Sequence, residues 1–191
     1  MRLYDDDGRR LYFTADERRL FMEAAKRQPR EVRSFCGVLH FTGCRISEAL
    51  ALSAPRIDLS AHSIVFESLK KRRKGIFRSV PCPADFLDEL DIIHGLRALQ
   101  ARRGKPERLW PWSRMTGYTR VREVIEAAGI PEGPHASPKG LRHGFGVHAV
   151  VKGIPLNILQ KWLGHAQLST TAIYANAIGK EEQDIAARMW A

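Results

Sequence analysis

Apolar residues recur along most of the chain at the three- and four-residue spacing of an amphipathic helix. The clearest series is Phe86, Leu87, Leu90, Ile93 and Leu96, which predicts one helix over residues 84–102. The same spacing predicts a helix after residue 14 and further helices over 31–52, 116–128, 139–152, 155–163, 169–174 and 181–190.

Polar residues and glycines mark where several of these helices begin and end. Thr14, with Glu17 three residues later, has the capping-box pattern of a helix start. Gly129 is placed to end the helix over 116–128. The segment TGC at 42–44 interrupts the apolar region 31–52, so a new turn is expected from Arg45 onward.

One region has the two-residue alternation of strands instead. Residues 63–69 and 76–80 are predicted to pair as a hairpin, with a basic tip that ends at Gly75, and a short strand near Ile57 extends the sheet. Pro81 and Pro83 end it because proline cannot donate to the ladder. The fold class is therefore mainly α with a small antiparallel β-sheet (α+β). We expect a flexible segment over 1–12 and a single domain over 13–191.

The charge balance adds an expected partner. Lys and Arg number 31 against 21 Asp and Glu, a net charge of +10, and this surplus favours a polyanion. It is concentrated in residues 70–74 and 102–105. A solvated hairpin tip is the ordinary explanation of such a run.

Other classes of protein are not favoured. No apolar run approaches the roughly 20 residues that span a bilayer, and the N-terminus MRLYDDDGRR lacks the apolar region of a signal peptide. We therefore expect a cytoplasmic protein without a membrane partner. Cys36, Cys44 and Cys82 are odd in number and form no CxxC pair, so we expect neither a disulfide nor a metal site.

Cleavage of a phosphodiester by tyrosine would need a particular set of side chains. Arginine can hold two non-bridging oxygens through its planar fork. A lysine or histidine can protonate the leaving 5′ oxygen, and the phenol must lie opposite that oxygen. Such a site needs no metal if enough fixed positive charge is present.

Three sequence blocks supply these groups in order: GCRISEAL at 43–50, SPKGLRHGFGVH at 137–148 and LGHAQLSTTAIY at 163–174. They resemble the motif blocks of the tyrosine recombinase (phage-type integrase) family. The predicted hairpin, followed by RSVP at 78–81, resembles the hairpin that carries the family's catalytic lysine. The resemblance runs from about Phe13 to the C-terminus, and it implies the family's catalytic-domain fold and no cofactor.

By position, the resemblance implies a role for each motif residue. Arg45 and Arg142 would bind the phosphate, and Glu48 would brace Arg45. His165 would hydrogen-bond a non-bridging oxygen, and Tyr174 would form a 3′-phosphotyrosyl link. Taken singly, a histidine at a helix end or a tyrosine in a helix is more often structural; the joint pattern favours the catalytic interpretation.

The catalytic lysine is assigned from the end of the first hairpin strand. Matching 63–69 to that strand gives Lys70, whereas counting back from Pro81 gives Arg73. We choose Lys70. The other cations of the hairpin are assigned to DNA contact: Lys71, Arg72, Arg73, Lys74 and Arg78.

The block around Arg142 departs from the family pattern. The family usually has His-x-x-Arg, and here Lys139 stands in the histidine position. Either Lys139 acts through its charge, or His143 or His135 replaces the missing histidine, or activity is reduced. A lysine can accept the tyrosine proton only as the neutral amine, which requires desolvation to lower its pKa.

The expected function is site-specific recombination of double-stranded DNA, by a monomer in isolation that forms a homo-tetramer on DNA. Few residues precede Thr14, so we expect the family's additional N-terminal DNA-binding domain to be missing, in a single-domain recombinase, a fragment, or a chain that relies on an accessory protein. The alternatives are a type IB topoisomerase or a non-catalytic DNA-binding protein with a helix-turn-helix over 156–177.

Overall fold

The computed structural model describes residues 2–67, 75–176, 182–183 and 186–190. The α-helices of this part of the chain are α1 (Ala15–Lys26), α2 (Arg30–Thr42), α3 (Ile46–Leu50), α4 (Ala84–His94), α5 (Leu96–Ala101), α6 (Arg114–Ala127), α7 (Pro138–Val151), α8 (Leu156–Leu163) and α9 (Ser169–Ala172). The strands are β1 (Ile57–Asp58), β2 (Ser63–Glu67) and β3 (Phe77–Pro81). Short 3-10 turns cover Ala54–Arg56, Ile173–Asn176 and Ala187–Met189. The predicted fold class, mainly α with a small antiparallel sheet, is confirmed.

Local signals place the first helices as predicted. Thr14 caps α1 through a complete capping box, in which the Glu17 amide donates to Thr14 Oγ1 and the Thr14 amide donates to the Glu17 carboxylate. Helix α2 ends at Gly43, whose φ of 59° is the left-handed conformation that glycine adopts at little cost. The interruption predicted at 42–44 is thereby confirmed.

The single helix predicted over 84–102 is wrong, because the structure divides it at Gly95. This residue has a φ of 63°, and its amide donates to the Asp91 carbonyl at 2.7 Å, which closes α4. Helix α5 then starts at Leu96, which is fully buried in the core. The apolar spacing continues across the break, so periodicity alone could not reveal it.

The sheet has the order β1-β2-β3 with antiparallel pairing throughout. In its register, Ile64 pairs with Val80 and Phe66 pairs with Arg78, and all four residues are buried. This face of the sheet therefore packs inward. The predicted hairpin tip lies outside the described residues, and this includes Lys70, Lys71, Arg72, Arg73 and Lys74.

Two apolar clusters hold the described fold together. The larger one joins α1, α2, α4, α6 and the sheet, with Phe21, Phe35 and Trp110 fully or almost fully buried. The smaller one lies around α7 and α8. Leu3 and Tyr12 belong to the smaller cluster, and Tyr4 forms a β-bridge with Arg10. Residues 2–12, which we expected to be flexible, therefore pack on the domain because apolar side chains anchor both ends.

None of the helices in the described ranges combines the length and the apolar character needed to cross a bilayer. Of the last predicted helix, over 181–190, the structure describes residues 182–183 and 186–190, and it shows a 3-10 turn at Ala187–Met189.

Candidate active site

The junction between α2 and α3 positions Arg45 and Glu48. Arg45 is the N-cap of α3; its amide donates to Glu48 Oε2 at 2.8 Å, and its Nη1 donates to Glu48 Oε1 at 3.0 Å. The Arg45 side chain remains 28% exposed, whereas that of Glu48 is 2% exposed. The contact with Glu48 fixes the direction of the Arg45 guanidinium and leaves one of its edges open to solvent.

Arg78 approaches the same carboxylate from β3. Its Nη2 donates to Glu48 Oε2 at 2.7 Å, its Nη1 donates to Oε1 at 3.2 Å, and its Nε donates to the Trp162 carbonyl at 2.7 Å. We predicted that Arg78 contacts DNA; the structure instead buries it against Glu48. The alternation of β3 explains this position, because Arg78 and Val80 lie on the same inward face.

The carboxylate of Glu48 stays ionised in this setting. Burial disfavours its charged form, but hydrogen bonds and positive charge from Arg78, together with Arg45, bring its pKa below the ordinary value. Two arginines therefore share one buried negative charge.

Helix α7 carries Arg142 into the middle of the domain. Ser137 caps the helix by accepting from the Gly140 amide. Arg142 is 4% exposed, and it donates to the carbonyls of Gly43 and Leu163 at 2.7 Å each. These carbonyls lie at the C-terminal ends of α2 and α8, where a cation is favoured. Burial lowers the pKa of Arg142 to about 10, so it is charged at neutral pH.

His165 follows Gly164, which ends α8 with a φ of 66°. Its Nε2 lies 3.1 Å from Arg142 Nη2, and its Nδ1 lies 3.0 Å from Thr171 Oγ1. Arginine has only donors, so Nε2 must accept, and Nδ1 therefore carries the proton and donates to Thr171. Burial and the charge of Arg142 lower the pKa of His165 to about 3, which makes the ring neutral at pH 7.

Tyr174 lies on the 3-10 turn after α9 and is fully buried. Its Oη is 3.3 Å from His143 Nδ1, and its ring lies nearly parallel to that of His165, with the ring centroids 6.3 Å apart. Gly146 makes room for the phenol, because a Cβ there would come within 2.5 Å of the ring. Burial raises the pKa of Tyr174 to about 12, although Arg142 and Arg45 act in the opposite direction.

The geometry brings the four motif residues Arg45, Arg142, His165 and Tyr174 together from different elements. A sequence profile described as the phage integrase family matches residues 11–181. The chain belongs to the phage integrase family. The predicted family is therefore confirmed.

Curated relatives in this family match this chain over only part of their own length. The chain is 34% identical over 151 residues to tyrosine recombinase XerD of Mycobacterium tuberculosis, covering 74% of this chain and 46% of the relative. It is 29% identical over 182 residues to tyrosine recombinase XerA of Pyrococcus furiosus, covering 92% and 60%. The chain thus spans about half the length of the curated relatives it matches.

Solved structures share the fold. A crystal structure of XerA recombinase superposes with a TM-score of 0.78 at 23% identity and covers 94% of this chain and 65% of that one. The catalytic domain of bacteriophage HP1 integrase superposes with a TM-score of 0.62 at 20% identity, covering 92% and 93%. The second comparison matches almost the whole of a catalytic domain.

The chain departs from the usual family pattern at Lys139, and the three candidate residues Lys139, His135 and His143 lie in different surroundings. Lys139 is exposed on the first turn of α7 and makes no hydrogen bond or ion pair with any described residue. His135 faces Glu17, with its Nε2 3.4 Å from the Glu17 carboxylate. His143 is fully buried and contacts Tyr174.

Two contributors to the site, Thr171 and Gly146, were missed from sequence, and a third, Arg78, was given a different role. Thr171 orients His165, Gly146 admits Tyr174, and Arg78 holds Glu48. Only the position of Arg78 could have been inferred from sequence, because the alternation along its strand places it on the inward face.

Beside His165 lies a cleft of about 240 Å³ between β3 and α8. The part of the chain that the structure describes contains no cluster of three or more potential metal ligands.

Proposed function

We propose that this domain breaks and rejoins DNA strands through a covalent 3′-phosphotyrosyl link to Tyr174, as a site-specific recombinase. The observation that carries the proposal is the convergence of Arg45, Arg142 and His165 around a buried tyrosine. A structural tyrosine has no need of two arginines whose charge acts on its hydroxyl.

The arginines suit a phosphodiester. Arg45 has an open edge, and Arg142 holds its guanidinium rigidly against two backbone carbonyls. Donors that are fixed before the reaction stabilise developing charge without reorganisation. Glu48 and Arg78 keep Arg45 in place, so they act as positioning residues.

In the proposed step, Tyr174 Oη attacks phosphorus and the bond from phosphorus to the 5′ oxygen breaks. The leaving oxygen takes the electron pair and a proton from Lys70, the predicted acid of the hairpin. The phosphotyrosyl ester conserves the energy of the original bond, so rejoining by the released 5′ hydroxyl requires no ATP. Because Tyr174 is fully buried in the free protein, DNA binding must expose its hydroxyl.

The proposed partner is double-stranded DNA. XerH recombinase, which this chain resembles in fold with a TM-score of 0.74 at 22% identity, is described as bound to difH substrate. The basic residues 70–74 would contact the backbone. Recombination would require four protomers on two duplexes, and a second DNA-binding module would come from another segment or another protein.

A covalent-capture experiment tests the proposal on a mixture of all possible target sequences. The chain is incubated with a library of randomised duplexes that carry a nick beside each possible cleavage position, so that the short 5′-hydroxyl strand is lost after cleavage. The mixture is denatured, and DNA attached to protein is sequenced. We expect enrichment of one sequence by the wild type and none by Tyr174→Phe. Equal recovery by both proteins, or no adduct from either, would overturn the proposal.

A further inference from the structure

Within the described part of the chain, the hydroxyl of the nucleophile lies against His143, whose Nδ1 is 3.3 Å from Tyr174 Oη. We infer that His143 accepts the proton of Tyr174 during attack and returns it during rejoining, and that it thereby replaces the family histidine whose position Lys139 occupies. This inference rests on the proposed function. It assigns proton transfer to a residue of α7 one helical turn beyond Lys139.

The other basic groups that the structure describes around the site either have their own partners or are exposed. His165 accepts from Arg142 through Nε2 and donates to Thr171 through Nδ1, so it has no free lone pair. Lys139 is exposed on the first turn of α7 and makes no hydrogen bond with Tyr174. The Nε2 of His135 faces Glu17.

The hydrogen-bond inventory of His143 favours acceptance at Nδ1. Its Nε2 is buried and has no partner among the described residues. If Nδ1 were the donor, both the Nε2 lone pair and the Tyr174 hydroxyl proton would lack partners. If Tyr174 donates, only Nε2–H is left unpaired, which is the less costly arrangement.

The surroundings keep His143 neutral in the free protein. Among the described residues, the charged or titratable groups facing it are Lys139 and Arg142 on its own helix, His165 after α8, and Tyr174. Burial, with the charges of Lys139 and Arg142, lowers the pKa of His143 to about 4. The lone pair is therefore available at neutral pH, and the proton stays on Tyr174 until DNA arrives.

Arrival of the phosphodiester changes this balance. Its negative charge beside Arg142 favours protonated His143. The Tyr174 proton passes to Nδ1 as the oxygen–phosphorus bond forms, and the 5′ oxygen leaves with its electron pair and the proton from Lys70. In rejoining, the 5′ hydroxyl returns its proton to Lys70 as its oxygen bonds to phosphorus, and the imidazolium returns its proton to Oη as the phosphotyrosyl bond breaks.

The test combines His143→Gln with a ring-fluorinated tyrosine at position 174, whose phenol is more acidic. Cleavage of the captured nicked duplex is followed under single-turnover conditions. We expect His143→Gln to slow cleavage about 100-fold to 10,000-fold, the range for loss of a general base. Fluorination should raise the rate of His143→Gln at least about tenfold, because ionisation no longer needs a base, and leave the wild type unchanged or slower.

The ratio of fluorinated to ordinary tyrosine is taken within each background, so it cancels any loss of folded protein. His148→Gln is the matched control, since His148 lies on α7 but lines a groove with Arg18 and His40. It should keep the wild-type rate and ratio. A His143→Gln variant with the wild-type rate, or with the wild-type ratio, would overturn the inference. Failure of the wild type to form any adduct would instead overturn the proposed function.

Discussion

The guanidinium of Arg78 donates to both oxygens of the Glu48 carboxylate, and the two side chains are 6% and 2% exposed. Glu48 in turn holds Arg45 through two hydrogen bonds. A strand residue thus helps to fix, through Glu48, the direction of Arg45 at the start of α3. We assigned Arg78 to DNA contact from the sequence; in the structure it supports Arg45 indirectly, through Glu48.

Replacing Arg78 by alanine should destabilise the domain by about 3–5 kcal/mol, because a buried carboxylate loses its main partner. The pKa of Glu48 is lowered in the folded state, so its contribution is complete above its ordinary value of 4.5 and is lost as pH falls through the folded pKa. Urea unfolding at several pH values should therefore show that the loss of unfolding free energy caused by Arg78→Ala becomes smaller in acid. In a Glu48→Gln background, Arg78→Ala should cost much less unfolding free energy. An equal loss in both backgrounds would contradict the pairing of Arg78 with Glu48.

Thr171→Val should impair the orientation of His165 while keeping the side-chain shape. The buried Nδ1–H of His165 loses its acceptor, which costs about 1–3 kcal/mol, and the ring is free to turn away from Arg142. We expect covalent adduct to form about 10-fold to 100-fold more slowly. Thr171→Ser retains the hydroxyl and should stay close to wild type in the same assay.

Gly146→Ala should displace the phenol of Tyr174, because the new Cβ would lie 2.5 Å from its ring. The pKa of Tyr174 should then fall from about 12 towards its ordinary value of 10.0. The raised pKa of Tyr174 contributes stability that is fully present below pH 10.0 and is lost as the pH rises through the folded value of about 12. The free energy of unfolding of the variant should therefore fall below that of the wild type mainly below pH 10. Absorbance titration of the phenols, with Tyr174→Phe as reference, measures the shift.

Lys139→His restores the usual family residue and should preserve or raise cleavage. The substitution removes a solvated cation and adds a group that can accept a proton. Lys139→Gln removes the charge alone and separates the two effects. Single-turnover cleavage by the three proteins provides the comparison, and an inactive Lys139→His would count against a site built on the family plan.

DNA binding should be weak and strongly salt-dependent, because it relies on phosphate contacts. Neutralising all five cations at 70–74 should reduce the slope of log affinity against log salt by up to about four to five, since each phosphate that a cation neutralises adds about 0.9 to that slope. Neutralising Arg102, Arg103 and Lys105 serves as the control for net charge. A slope that is the same in all three proteins would show that the hairpin does not contact DNA.

Much of the fold could be predicted because its signals are local. The capping box at Thr14 and the alternation along β2 and β3 operate over a few residues, and both appear in the structure. The break at Gly95 was missed because the apolar spacing continues through it. Leu3 and Tyr12 were missed because their packing partners lie on distant helices.

The sequence by itself determined the family, the order of the elements and which residues carry suitable chemistry, since motif blocks and periodicity are properties of neighbouring positions. The tertiary structure alone decided the tautomer of His165, the burial of Tyr174, its contact with His143 and the pairing of Arg78 with Glu48. The two contacts join residues at least 30 positions apart in the sequence, and the burial of Tyr174 depends on exclusion of water. Desolvation and contact across elements set their charge states, and neither is encoded in local spacing.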